Sequence, residues 1–114
     1  MNDFQDCLMH RVAHVTIGEF KTGKFEEAQA LYQEAIATYG EGFRGAYLLR
    51  EPGSDRGMSV IFWDSADQMA ASDSTQLQQI LKHMAPLFAS HPTSTDYEVV
   101  TECEPSSLAP VLVN

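Results

Sequence analysis

His14 is the residue of this chain best suited by type and place to move a proton near neutrality, because imidazole titrates there and the residue sits mid-way along an alternating run. Over residues 10 to 20, HRVAHVTIGEF, the period of two puts Val12, His14 and Thr16 on one face and Ala13, Val15 and Ile17 on the other. A mid-strand histidine is either a base or a hydrogen-bonded structural residue, and its type alone fits both. His83 lies one residue off an apolar helical stripe, beside Ile80 and Leu87 by spacing. His10 and His91 fall at element ends and read as solvated, and Arg44 and Arg50 as solvated edge charges. Tyr47 combines apolar area with one polar tip, Trp63 reads as a large core side chain, and Ser65 reads as a helix cap. Other chemistries lack their signatures: the chain has no G-x-S-x-G, no P-loop and no Cys/His grouping at metal-ligand spacing.

The elements that must position these groups follow from periodicity and punctuation. Residues 10 to 20 form strand one, and Thr22-Gly23-Lys24 precedes a helix whose Phe25, Ala28, Leu31, Tyr32, Ala35, Ile36 and Tyr39 share one face until Gly40 and Gly42 stop it. Phe43 to Arg50 is strand two, Glu51-Pro52-Gly53-Ser54 a type II turn, and Gly57 to Trp63 strand three. Ser65 and Gln68 make a capping box, Ser72-Asp73-Ser74-Thr75 interrupts the helix it opens, and a second piece aligns Leu77, Ile80, Leu81, Met84, Leu87 and Phe88. Pro86 predicts a kink there. Thr93 to Cys103 alternates as strand four, with Tyr97, Val99 and Thr101 opposed to Glu98, Val100 and Glu102.

Strand, helix, strand, strand, helix, strand is the ferredoxin-like βαββαβ arrangement, an α+β fold. Right-handed crossovers give a four-stranded antiparallel sheet of order 4-1-3-2 with both helices on one face. Strands two and three carry apolar residues in both phases, Phe43, Tyr47 and Leu49 against Ala46 and Leu48, then Met58, Val60 and Phe62 against Ile61 and Trp63. One of those sets would face water in an isolated domain, so the pattern predicts a homodimer packed sheet to sheet.

Composition sets the frame around that domain. The 114 residues suit one core, with 44% hydrophobic and 20% charged residues. The expected organisation is an extension over 1–9, the domain over 10–103 and a tail over 104–114, whose Leu108, Val111, Leu112 and Val113 suit a sheet edge or a partner. A net charge of −9 and scattered basic residues argue against nucleic acid and anionic membrane as partners. No apolar run reaches membrane-spanning length, and Asp3 and Asp6 stand where a secretory signal needs positive charge, so the expected compartment is the cytoplasm. There Cys7 and Cys103 are expected as free thiols, although strands one and four would bring them near each other.

The element order, Gly42-Phe43-Arg44-Gly45 opening strand two, the Phe62-Trp63-Asp64-Ser65 junction and Phe88 late in the last helix carry a resemblance. Over about residues 10 to 103 the chain resembles the dimeric α+β barrel superfamily and, within it, the antibiotic-biosynthesis-monooxygenase-like domains. The resemblance implies sheet-to-sheet dimers forming an α+β barrel, and oxidation of small electron-rich aromatics such as hydroquinones and anthrones by dioxygen with no metal or flavin cofactor. It implies an apolar pocket between sheet and helices, a group to take a phenolic proton and donors for the resulting anion. In this chain those roles fall to His14 and His83 as catalytic residues, and to Trp63, Tyr47 and Thr16 as residues that bind substrate. Haem-degrading relatives pair an asparagine on the first strand with a second tryptophan, whereas this chain has one Trp and no Asn in strand one. A non-catalytic dimeric module of the same fold, binding a small apolar ligand or a protein, is the other reading. A cavity of several hundred Å³ with convergent polar groups would favour the enzyme, and a filled core the module.

Overall fold

Alternation in VAHVTIGE yields the first strand, β1 (Val12–Glu19), in a computed structural model that describes residues 11–105. Phe20 extends it by an isolated bridge to Phe88. Helix α1 (Phe25–Ala37) starts with Glu26 and Glu27 in its first turn, where carboxylates meet the positive end of the helix dipole. It buries Phe25, Ala28 and Ala35 along one stripe and ends at Ala37, ahead of the glycines expected to stop it. Strands β2 (Phe43–Arg50) and β3 (Arg56–Trp63) follow. The turn between them closes with Ser54 N–H donating to the Glu51 carbonyl at 3.1 Å, and Gly53 takes the positive φ of 75° that a type II turn requires.

Ser65 caps α2 (Ala66–Ala71): its Oγ accepts from Gln68 N at 3.2 Å and lies 3.3 Å from Gln68 Oε1, so the Gln68 side chain turns back onto the capping hydroxyl. The interruption falls at the expected place, because Ser72 Oγ turns back onto the Met69 carbonyl at 2.6 Å and Ser74 caps a new helix, α3 (Thr75–Met84). Pro86 ends α3 rather than merely bending it. With no amide hydrogen at that position the chain tightens into a 3-10 turn over Ala85–Leu87 and leaves it extended at Phe88.

The last strand, β4 (Thr93–Glu98), is shorter than the expected 93–103. Glu98 pairs with Val12, the first residue of β1, so the ladder stops where its partner stops, and only Val99 N–H reaches the Arg11 carbonyl beyond it. Glu102 is then held by Arg11 at 2.8 Å. The sheet is antiparallel throughout, in the order β2-β3-β1-β4, with the helices on one face. That is the ferredoxin-like α+β fold expected from the element order.

A β-bulge revises the expected faces of β2. The register steps from Phe43↔Trp63 to Gly45↔Phe62, with Gly45 at a φ of 128°. Phe43 is thereby turned onto the helix side, where its ring meets Trp63 and Tyr39, while Tyr47 and Leu49 keep the opposite face. On that opposite face Ile17, Tyr47, Leu49 and Tyr97 are 51%, 62%, 48% and 56% exposed, an apolar surface on a well-paired sheet. The core lies on the helix side in two clusters, one around Phe20, Phe25, Ala28, Met84 and Leu87 and one around Ala35, Leu77 and Ile80. Among the described residues no helix is long and apolar enough to cross a membrane. Cys103 is an exposed free thiol, and Cys7, His10 and the apolar tail from Leu108 lie outside the described residues.

Candidate active site

Between the helix side of the sheet and helices α1 and α3 lies a cavity of about 700 Å³. Its floor is the face of β1 that carries His14, Thr16 and Gly18, continued on β3 by Gly57, Ser59 and Ile61. Glycines 18 and 57 are register partners, and a Cβ at Gly18 would come within 2.9 Å of the Phe88 ring, so the missing side chains let the aromatic wall descend onto the sheet. Tyr32 and Ile36 from α1, Tyr39 just past its end, and Leu81, Met84 and Phe88 from the α3 side close the roof. Among the described residues neither lysine nor arginine lines the cavity.

Pairing of β1 with β4 sets polar groups into this apolar shell. His14 is opposite Asp96, and Nδ1 of the ring stands 2.6 Å from the carboxylate Oδ1. A carboxylate only accepts, so Nδ1 carries the proton, and in the neutral ring Nε2 presents its lone pair as the basic nitrogen. One rung along, Thr16 is opposite Ser94, their hydroxyl oxygens 2.8 Å apart. Across β3, Thr16 is opposite Ser59, whose Oγ lies 2.8 Å from the Tyr32 hydroxyl. The hydroxyls of Ser94, Thr16 and Ser59 thus cross the floor in one row beside the His14–Asp96 pair.

Burial raises the pKa of Tyr32, with the Ser59 hydrogen bond acting the other way. Burial also raises that of Tyr39, helped by Tyr32 and Asp73. Both phenols therefore stay protonated and neutral through the physiological range.

Not every residue expected at the site reaches the cavity. Thr16 and His14 line it. Trp63 does not: at 2% exposure it is packed behind the wall, its ring 4.8 Å from Tyr39, which is the residue that faces the cavity. The last position of β3 aims Trp63 into the aromatic cluster with Tyr39 and Phe43. Tyr47 projects from the opposite face of the sheet, beside Phe62, and only its backbone carbonyl is linked to the cavity, through Tyr32. His83 is exposed and its Nδ1 lies 2.9 Å from the Gln79 carbonyl one turn back on its own helix, away from the lining. His91, read as solvated, is exposed and lines the cavity mouth.

Solved structures share this architecture over most of the chain. A mutant form of SnoaB, a cofactor-independent oxygenase from Streptomyces nogalater, superposes with a TM-score of 0.73 at 15% identity, over 82% of this chain and 96% of that one. The fold is that of the antibiotic biosynthesis monooxygenases. A protein from Caulobacter crescentus, provisionally assigned to them, matches with a TM-score of 0.74 at 13% identity over 89% of this chain and all of its own. Another from Chloroflexus aurantiacus, with the same provisional assignment, gives 0.72 at 17% identity over 82% and 97%. No protein-family model and no curated protein matches the chain. At such identities the likeness establishes the fold, and the reaction must be argued from the site.

Asp96, Ser94 and Ser59 were not singled out from sequence, and Tyr32 and Tyr39 were read as core. The helical stripe did place both tyrosines on the side that meets the sheet, Tyr32 on α1 and Tyr39 just past its end. The signal for Asp96 and Ser94 was the phase of TSTDYE, which becomes meaningful once β4 is set in register against His14 and Thr16.

Proposed function

We propose that the protein is a cofactor-independent monooxygenase that oxidises a small aromatic, quinol-type substrate with dioxygen. The observation that carries this reading is the His14–Asp96 pair opening onto a cavity of about 700 Å³ whose other walls are aromatic and aliphatic. Nε2 of His14 takes a proton from the bound phenol, and Asp96 stabilises the imidazolium that results. The electron-rich anion gives its electrons to dioxygen and forms a carbon–oxygen bond, the peroxide takes the proton back from the imidazolium, and the hydroperoxide loses water. A ring C–H carbon becomes a carbonyl, with one oxygen atom in the product and the other in water. The cofactor-free route is supported by the shared fold of SnoaB, whose description is that of a cofactor-independent oxygenase.

On the same reading two copies pack through the apolar sheet face carrying Ile17, Tyr47, Leu49 and Tyr97, and close an α+β barrel. The working compartment is the cytoplasm, where Cys103 stays a thiol. A cavity of this size with convergent polar groups weighs against a non-catalytic module, which would fill its core. Dioxygen consumption by the purified protein with a panel of hydroquinones and anthrones tests the proposal. Consumption no faster than without protein across the panel would leave the module as the better reading.

A further inference from the structure

The contacts of Tyr32 fix where one proton on the cavity floor must lie. A phenol has a single hydroxyl hydrogen. The Tyr32 oxygen is 3.2 Å from the Tyr47 carbonyl, which only accepts, and 2.8 Å from Ser59 Oγ. Both bonds form together in one arrangement: Tyr32 donates to the Tyr47 carbonyl and Ser59 donates to Tyr32. Ser59 therefore turns lone pairs, and no hydrogen, toward the cavity it lines. His14 in its neutral form is in the same condition, since Asp96 engages Nδ1–H and Nε2 is left as an acceptor. The Thr16–Ser94 pair uses one of its two hydroxyl hydrogens internally.

The two acceptors are diagonal neighbours across β1 and β3, because His14 is opposite Ile61 and Thr16 opposite Ser59. Such positions are about 7–8 Å apart at the backbone, a spacing across a ring rather than along one of its edges. With no lysine or arginine in the lining, little here attracts a carboxylate or phosphate.

We propose that the site selects the reduced, hydroxyl-donating form of its aromatic ligand, with one ligand hydroxyl donating to His14 and a second to Ser59, and that it releases the oxidised form, whose carbonyls only accept. Tyr32 is the positioning residue that sets the direction of the Ser59 hydrogen bond. The ligand class rests on the quinol reading above; the preference between its redox states goes beyond it. An acceptor facing an acceptor leaves a polar group unpaired, enough to separate the two forms by about tenfold.

The test is calorimetric titration, under argon, of the intact protein with naphthohydroquinone and with naphthoquinone. Wild-type protein should bind the hydroquinone about tenfold more tightly. Ser59→Ala should weaken hydroquinone binding and leave quinone binding unchanged. Tyr32→Phe frees the Ser59 hydrogen to turn into the cavity, so it should tighten quinone binding and narrow the ratio severalfold, a change that mere loosening of the fold would not produce. Equal affinities in the wild type, or a ratio unmoved by both substitutions, would overturn the proposal, as would failure to bind either form. A preference for hydroquinone without dioxygen consumption in air would uphold it while removing the monooxygenase reading. Consumption without the preference would do the reverse.

Discussion

Asp96 Oδ1 stands 2.6 Å from His14 Nδ1, the two residues being register partners on β4 and β1. The carboxylate fixes the tautomer of the ring and stabilises it once protonated. Asp96→Asn keeps the shape, but its amide can donate as well as accept, and the ring is no longer held in one form. It should lower kcat about a hundredfold or more while changing KM little. Steady-state kinetics on whichever hydroquinone or anthrone is turned over decides this, and an unchanged kcat would count against the pair.

Trp63 and His83 should separate fold from activity. Trp63→Ala empties a position that is 2% exposed and should cost about 3–5 kcal/mol in urea unfolding. His83→Ala removes an exposed ring that, among the described residues, meets the Gln79 carbonyl of its own helix, so kcat should stay within about twofold. A large loss of kcat in a well-folded His83→Ala protein would return that residue to the mechanism.

The division between what was legible and what was not follows from the range of the forces involved. Strand and helix periods, the Ser65 cap and the Ser72–Ser74 interruption are local, and they appear in the structure where the sequence puts them. The sheet order follows from the element order through the handedness of crossovers. Long-range register is different. The bulge at Gly45 moved Phe43 to the other face, and the pairing of β4 with β1 brought Asp96 to His14, relationships that no short window of residues contains. Trp63 fills the core as its size suggests, whereas the pocket role that the resemblance implies for it meets the same limit, because Tyr39, a neighbour from another element, is the aromatic residue that faces the cavity.

Stability should fall in alkali because of the half-buried phenols. Tyr32 and Tyr39 both titrate above the ordinary 10.0 when folded, chiefly through burial. In the folded protein they hold protons that the unfolded chain releases, so their contribution is complete below pH 10.0 and is lost as the pH rises from there through the folded values. Urea midpoints measured from neutrality into that range should decline, and Tyr32→Phe with Tyr39→Phe should flatten the decline. A rise in stability over the same range would contradict the assignment.

The apolar sheet face should be an interface between two copies. Analytical ultracentrifugation at micromolar concentration should give a dimer for the wild type and a monomer for Leu49→Asp, which places a charge among Ile17, Tyr47 and Tyr97. A wild-type monomer would show that this face serves something else.

On the proposed function, His14 starts an oxygenation inside this cavity without help from a bound cofactor. The test is to supply isotopically labelled dioxygen to wild-type and His14→Ala protein with a hydroquinone or anthrone substrate. One labelled oxygen atom is expected in the wild-type product, and a rate lower by about 10² to 10⁴ in His14→Ala. Unlabelled product, or a His14→Ala rate equal to that of the wild type, would contradict it.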